Sequence, residues 1–357
     1  MLDKKQDQRV EAEGIALQGG RDVTLNVTNA GLSYSDVLAI VRNEANALFI
    51  ENFTKLQGEA KVTAVTRGEE ITENFFAKLQ KENPSGIQQA KSPDFQDALF
   101  TVQKEYAKAG DEDLGQLLVD LLVDRTNTEH RNILQIVLNE SLHTAPKLTS
   151  EHLAVLAVTF FFRRTRNLSV GNLESLKAYL SKNIKPFAML MPTKDGTFEH
   201  LQFTGCGSVS MGSINLEQIF QHTYCGLFNM GFEESRILEL GITLGNDPRF
   251  FIPCLNDLTK LQVRGVEKGS LKDWLVENNI STDDQQKIES LFQENLMSEQ
   301  EIKVKIIEAC PFMDSIFTAW ASTKMQNFEL TSVGMAIGHA NIKRLAGEFT
   351  DLSIWIN

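Results

Sequence analysis

The ten residues Leu153–Phe162 carry a single polar side chain, Thr159. A bilayer span takes about 20 residues. This run is therefore too short to cross a membrane and too apolar for a surface, and we read it as a helix buried at the centre of a core. The rest of the chain agrees with a protein built mainly of helices. Val37, Leu38, Val41, Ala45, Leu48, Phe49, Phe53 and Leu56 fall three and four apart, and Val62, Val65, Ile71, Phe75 and Leu79 continue the pattern beyond Gly58. Ser33 or Ser35 can cap the first stretch. Ser92-Pro93-Asp94 is a helix start, with a capping hydroxyl, proline at the first position and an acid near the positive end of the dipole; Gly110 closes that helix. Two shorter helices near 112–124 and 128–142 are aliphatic on more than one side, so both are expected near the centre.

Beyond Pro146 the pattern predicts helices near 150–164, 170–183, 214–229, 233–240, 271–278, 283–297, 299–308, 312–326 and 331–346. Residues 186–212 and 241–269 break it with prolines and glycines. Phe198, His200, Gln202 and Thr204 alternate with Glu199, Leu201 and Phe203, which predicts a small β element at 198–204; Leu352, Ile354 and Ile356 read as a closing strand. The expected fold class is mostly α: a multi-helix globular protein with a short N-terminal β segment and that small β element. Three regions follow: a tail and β-like assembly segment at 1–31, a helical region at 32–148, and a mostly helical region at 149–357. The boundary falls where Pro146 and Thr149-Ser150 separate two helical groups.

The β-like segment is the exception to the helical pattern. Val23, Leu25 and Val27 alternate with Thr24, Asn26 and Thr28; Ile15 and Leu17 form a shorter alternating piece, and Gly19-Gly20 supplies a turn. A lone two-stranded hairpin is marginal in water, and its unpaired backbone groups invite another strand. We therefore expect Ile15, Leu17, Val23, Leu25 and Val27 to join copies of the chain into a homo-oligomer. The competing account pairs the tail with its own body.

Charge and cysteines narrow the setting. The net charge of −12 repels phosphate backbones and anionic lipids, so neither non-specific nucleic-acid binding nor membrane binding at rest is expected. Arg163, Arg164 and Arg166 form a local basic cluster, read as the C-terminal end of a helix. The start of the chain is polar, without a signal peptide. Cys206, Cys225, Cys254 and Cys310 make no CxxC pair, which fits reduced thiols in a cytoplasmic protein.

Candidate chemistry is sparse. No P-loop occurs; Gly205–Gly212 is glycine-rich but brings no lysine to meet a phosphate. Cys206 stands between two glycines, and His200 or His222 could act as its base, against the alternative of a small buried residue. Ser210 lacks the GxSxG frame. His222 and Cys225 are three apart, with Cys254 available to complete a metal site, but no second close pair exists; no metal and no cofactor is expected. Asp120 and Asp124 share a helical face and read as a solvated stripe, paired with Arg125 or Arg131. Gly334 and Gly338 read as a close helix contact.

Five stretches carry a resemblance: Leu114–Thr126, Leu134–Leu142, Thr204–Ser208, Ile252–Leu255 and His339–Leu345. Together they resemble an uncharacterised bacterial family known only by a pair of locus tags, nearly end to end. That family implies no reaction and no site residues. The segment Gly14–Val27, running on into Gly31-Leu32-Ser33-Tyr34, resembles β-forming pieces that precede effector or sensor modules in bacterial conflict proteins, which implies a link to antiphage defence. The leading expectation is a self-assembling, non-enzymatic sensor, adaptor or effector scaffold, with a protein trigger or partner besides itself. Two alternatives stand: a hydrolase or nuclease with Cys206 and His222 in a site at 199–225, and an effector that perturbs membranes by exposing 153–162.

Overall fold

The structure is a computed structural model that describes residues 34–52, 58–127, 131–347 and 349–356. The assembly residues Ile15, Leu17, Val23, Leu25 and Val27 lie outside the described residues, as do Ser33, Phe53, Leu56 and His130. The chain runs through α1 (Tyr34–Asn52), α2 (Gly58–Glu82), α3 (Pro93–Ala109), α4 (Glu112–Arg125), α5 (Ile133–Thr144), α6 (Ser150–Arg164), α7 (Leu173–Asn183) and α8 (Gly196–Phe203). Strand β1 (Gly207–Val209) precedes α9 (Leu216–Thr223) and α10 (Ser235–Glu239). Then come β2 (Phe251–Pro253), β3 (Leu261–Val263), α11 (Lys268–Glu277), α12 (Thr282–Gln293), α13 (Glu299–Ala309), α14 (Met313–Ser322), β4 (Phe328–Leu330) and α15 (Ser332–Ala346). The fold is mostly α.

Capping explains many of the boundaries. Ser92 Oγ accepts from the Phe95 amide at 3.2 Å, and Gly110 ends α3 in the left-handed region at φ 61°. Thr149 and His152 form a reciprocal cap on α6, and Ser298 and Glu301 do the same on α13. Residues Leu153–Phe162 are all buried within α6. Among the described residues no helix is long and apolar enough to cross a membrane.

The main core gathers around α6, drawing on Phe75, Leu118, Leu138, Phe160, Trp320 and Ile337 from both sides of residue 148. A second buried cluster holds Phe232, Phe250, Phe251, Leu275 and Phe292 under the β2–β3 hairpin. The glycines expected to allow close packing do so. A Cβ on Gly338 would stand 2.6 Å from the Leu156 carbonyl oxygen, and one on Gly334 would stand 1.9 Å from that of Cys206. Only hydrogen fits between α15 and these two backbones.

Several expectations need correction. Residues 198–204 do not form a β element: Gly196–Phe203 is helical, because Phe198 and Leu201, three apart, are buried on one face. Phe203 points outward, 85% exposed. The strand of this region starts at Gly207 and pairs antiparallel with β4, Ser208 opposite Glu329. The closing strand at 352–356 is a 3₁₀ turn over Leu352–Ile354, which buries Leu352 and Ile356 and leaves Ile354 60% exposed. The stretch 214–229 is helical only to Thr223, followed by a 3₁₀ turn at Cys225–Phe228. Asp120 and Asp124 are no solvated stripe, since α4 is covered on all sides from Leu117 to Val123.

Gly338→Ala is expected to destabilise the protein by about 1–3 kcal/mol, because the added methyl meets backbone that cannot swing away. Gly171→Ala, with nothing within 4 Å of its Cβ position, is the control and should change stability by less than about 0.5 kcal/mol. Denaturant midpoints measure both; equal midpoints would show that α6 and α15 have room to separate.

Candidate functional site

The region 199–225 was the sequence's first candidate. Cys206 sits between α8 and β1 with its thiol fully buried. Its amide donates to the Leu201 carbonyl at 2.9 Å, and its own carbonyl accepts from the Thr331 amide at 3.1 Å. Gly205 takes φ +73°, and a Cβ on Gly207 would stand 2.3 Å from the Phe328 ring. The glycines thus serve a packed joint between β1, β4 and α15. Burial pushes the Cys206 thiol pKa up; the neighbouring Thr204 hydroxyl, 3.5 Å from the sulfur, opposes the shift. Neither histidine is a hydrogen-bond partner of that sulfur among the described residues. His200 Nε2 lies 2.8 Å from the Lys147 carbonyl, and its ring packs on His152 with centroids 4.7 Å apart. His222 is exposed on α9. Burial also raises the Cys225 thiol to about 11, and Cys254 Sγ lies 3.4 Å from the Asn229 carbonyl. Among the described residues no three His, Cys, Asp or Glu side chains group closely enough to hold a metal.

Ion pairs concentrate elsewhere, along α2, α4 and α15. Asp120, at the middle of α4, is fully buried and takes the Lys78 ammonium on Oδ1, while its Oδ2 has no hydrogen-bond partner. Lys78 also faces Glu82 at 3.6 Å. Glu82 in turn meets Lys343 at 3.1 Å, and Lys343 reaches Asp124 at 2.8 Å. Burial lowers the Lys78 pKa more than Glu82 raises it. Lys343 is half-buried, which lowers its pKa, yet Asp124 and Glu82 together hold it above the usual lysine value. Arg125, expected beside Asp124, turns to the opposite side, where it is fully buried and pairs with Asp94 and Asn139.

A cleft of about 320 Å³ opens above Asp120, lined by Glu70, Asn74, Lys78, Tyr106 and Gln116. Tyr106 donates to Glu70 at 3.1 Å, and burial raises its phenol pKa. Gly115 permits this arrangement, since a Cβ there would stand 2.7 Å from the Tyr106 ring. Asp120 lies at the floor of this cleft with no exposed surface of its own, so the groups the cleft presents are those of Glu70, Asn74, Lys78, Glu112, Gln116 and Arg344. Sequence reasoning missed it because the signal was an acid inside a leucine-rich run, which a helix-face argument assigns to solvent.

At the other end of the chain of ion pairs, His339 is buried among Phe160, Phe349 and Trp355, with ring centroids 5.8, 5.5 and 6.0 Å away. Its Nε2 lies 2.6 Å from the Thr350 carbonyl and acts as donor there, while Nδ1 has no partner. Burial pushes the imidazole pKa down, against the opposing pull of that carbonyl.

With this geometry in hand, comparison with known proteins adds one finding. A family model matches residues 31–356, and that family is uncharacterised and named by locus tag. No curated protein and no solved structure matches the chain.

Two tests arise here. All four thiols are buried, so Ellman's reagent should label none rapidly in the native protein and all four in denaturant. A fast-reacting thiol lost in Cys206→Ala would reverse the assignment of that joint. His339 should make the fold acid-sensitive. Its folded pKa lies below the unfolded value of about 6.5, so the unfolded chain binds the extra proton, and stability falls as pH drops below that value. In His339→Phe the loss of stability between neutral pH and mildly acidic pH should be shallower; an unchanged slope would remove His339 as the source.

Proposed function

The chain belongs to the locus-tag family whose model spans residues 31–356, and we propose that it is a non-enzymatic, self-assembling sensor or adaptor. In this reading the helical body is a rigid scaffold and the N-terminal β-like segment joins copies of it. The setting we infer is bacterial antiphage defence in the cytoplasm, on the resemblance of that segment to pieces of conflict proteins. The observation that carries the non-enzymatic part is the state of Cys206. A nucleophilic cysteine needs a populated thiolate and access to substrate. Cys206 instead has a raised pKa, is fully buried and stands in a loop committed to backbone packing. The residues of the membrane alternative, 153–162, are the centre of the main core, and exposing them would dismantle it. Assembly is consistent with apolar surface on α1, the first described helix after the segment: Ile40 and Ile50 are 44% and 38% exposed, surface that a second copy could cover.

Removing residues 1–30, or replacing Val23 and Leu25 with Asp, should convert the full-length oligomer into a smaller species that still folds, as read by native mass and circular dichroism. An unchanged mass would refute assembly through the segment. Cys206→Ala and His222→Ala should keep full cellular activity. Loss of activity in either, with the fold intact, would favour the hydrolase reading instead.

A further inference from the structure

The basic cluster at the end of α6 plays no part in the assembly reading, and the structure puts it in a distinctive place. A groove of about 770 Å³ runs between the end of α6, the helix α7 and the segment that follows α15. Arg164, Arg166 and Lys182 line it, and no carboxylate does among the described residues. In a chain of net charge −12, three cations on the lining of one groove stand out, and Lys182 among them has no salt-bridge partner among the described residues. Three aromatic side chains, Tyr179, Phe349 and Trp355, share the lining with polar residues and Ile354.

The groove is held in shape. Trp355 Nε1 donates to the Arg164 carbonyl at 2.8 Å, which ties the C-terminal segment to the basic loop. The Phe349 and Trp355 rings lie nearly parallel, 18° apart, with centroids at 6.5 Å. On the α7 side, Asn183 is buried and donates to the Tyr179 carbonyl at 2.8 Å. Arg164 meets Glu329 at 3.3 Å and Arg166 meets Glu267 at 3.2 Å, each through one guanidinium nitrogen. A guanidinium has five N–H donors, so both retain donors for a further oxyanion. Lys182 forms no salt bridge among the described residues, and its exposed side chain is available to a ligand.

Lys182, together with the guanidinium donors that the two glutamates leave unused, selects an anion. Aromatic walls beside them select an anion with a flat, stacking part. A phosphate on the two arginines and the lysine, with a base against Trp355 or Phe349, satisfies both conditions. The chain's net charge of −12 disfavours a long polyanion, because the added phosphates of a polymer meet net repulsion from the rest of the molecule. We propose that this groove binds a small nucleotide, its phosphates held by Arg164, Arg166 and Lys182 and its base by the Phe349–Trp355 wall. The proposal does not rest on the assembly reading, since a nucleotide can bind whether or not the chain oligomerises.

The test is calorimetric titration of the full-length protein with the four ribonucleoside diphosphates, adenosine, inorganic phosphate and a single-stranded oligonucleotide. At least one diphosphate should bind, and inorganic phosphate and adenosine should each bind about tenfold or more weakly. Arg164→Ala and Lys182→Glu should each weaken the diphosphate about tenfold, and added salt should weaken it further. Trp355→Leu should lose preference for diphosphate over phosphate. Because Trp355 also packs on the core, Lys182→Glu, at an exposed position, keeps the test valid if the tryptophan variant misfolds. No heat with any diphosphate would overturn the proposal. So would binding of inorganic phosphate equal to the diphosphate, tighter binding of the oligonucleotide, or affinity indifferent to both charge variants. None of these outcomes depends on native mass, so a failed groove and a failed assembly segment are told apart.

Discussion

The approach of α15 to α6 is the constraint on which the rest of the structure depends. Gly338 lets the helix lie against the Leu156 carbonyl, and Asn341 Nδ2 donates to the Leu153 carbonyl at 3.1 Å in the same contact. One turn earlier, Gly334 lies against the carbonyl of Cys206. The position of α15 therefore fixes both the central helix and the Gly-Cys-Gly joint. Its last turn does a different job. Lys343 and Arg344 reach back to Glu82 and Asp124, and to Asp113, which belong to the first helical group. A helix from the end of the chain thus binds its first half by charge and its middle by close packing.

The ion pairs along α2, α4 and α15 need that placement. An isolated buried carboxylate is costly, and a buried pair with imperfect partners contributes little net stability. What the pairs add is register. Asp120 meets Lys78 only if α2 and α4 align at those positions, and Lys343 joins Glu82 to Asp124 only if α15 crosses both. A slip of one helical turn would leave Asp120 fully buried without its partner and separate the half-buried charges beside it. The leucines of α4 cannot discriminate between such registers, since they are buried on every side.

Much of the fold was legible because it is written in short-range signals. Ser92-Pro93 and Gly110 mark a helix by the backbone conformations they favour, and Leu153–Phe162 can only be interior. The glycine pair at 334 and 338 announced a close contact, though not its partners. Where the sequence misled, the deciding interaction was remote. Gly207–Val209 becomes a strand because Phe328–Leu330, distant in sequence, lies beside it; a three-residue strand has no periodicity to read. Phe198 to Thr204 alternated plausibly, but Phe198 and Leu201 found the core at helical spacing. Asp120 and Asp124 were assigned to solvent from their own helix, and their lysines stand on α2 and α15. The site candidates divide in the same manner. Cys206 was visible as a motif, but its burial was set by Gly334 and Phe328, far along the chain.

The C-terminal segment after α15 draws these threads together. Gly347, at φ 91°, turns the chain so that Phe349 and Trp355 come back over the end of α6. Their rings then face two neighbours. On one side they cage His339, whose burial favours the neutral imidazole; on the other they line the groove with Arg164, Arg166 and Lys182. The two surroundings impose compatible demands on those rings. A neutral imidazole packs beside aromatic rings without leaving an ion to desolvate, whereas an imidazolium there would place a charge in an apolar cage. The same rings can then stay in place and remain available to a ligand. Glu329, on β4, and Glu267, which caps the start of α11, each engage one nitrogen of an arginine that lines the groove. A guanidinium has five N–H donors, so one such contact leaves the others to the groove, with the Lys182 ammonium, unpaired among the described residues.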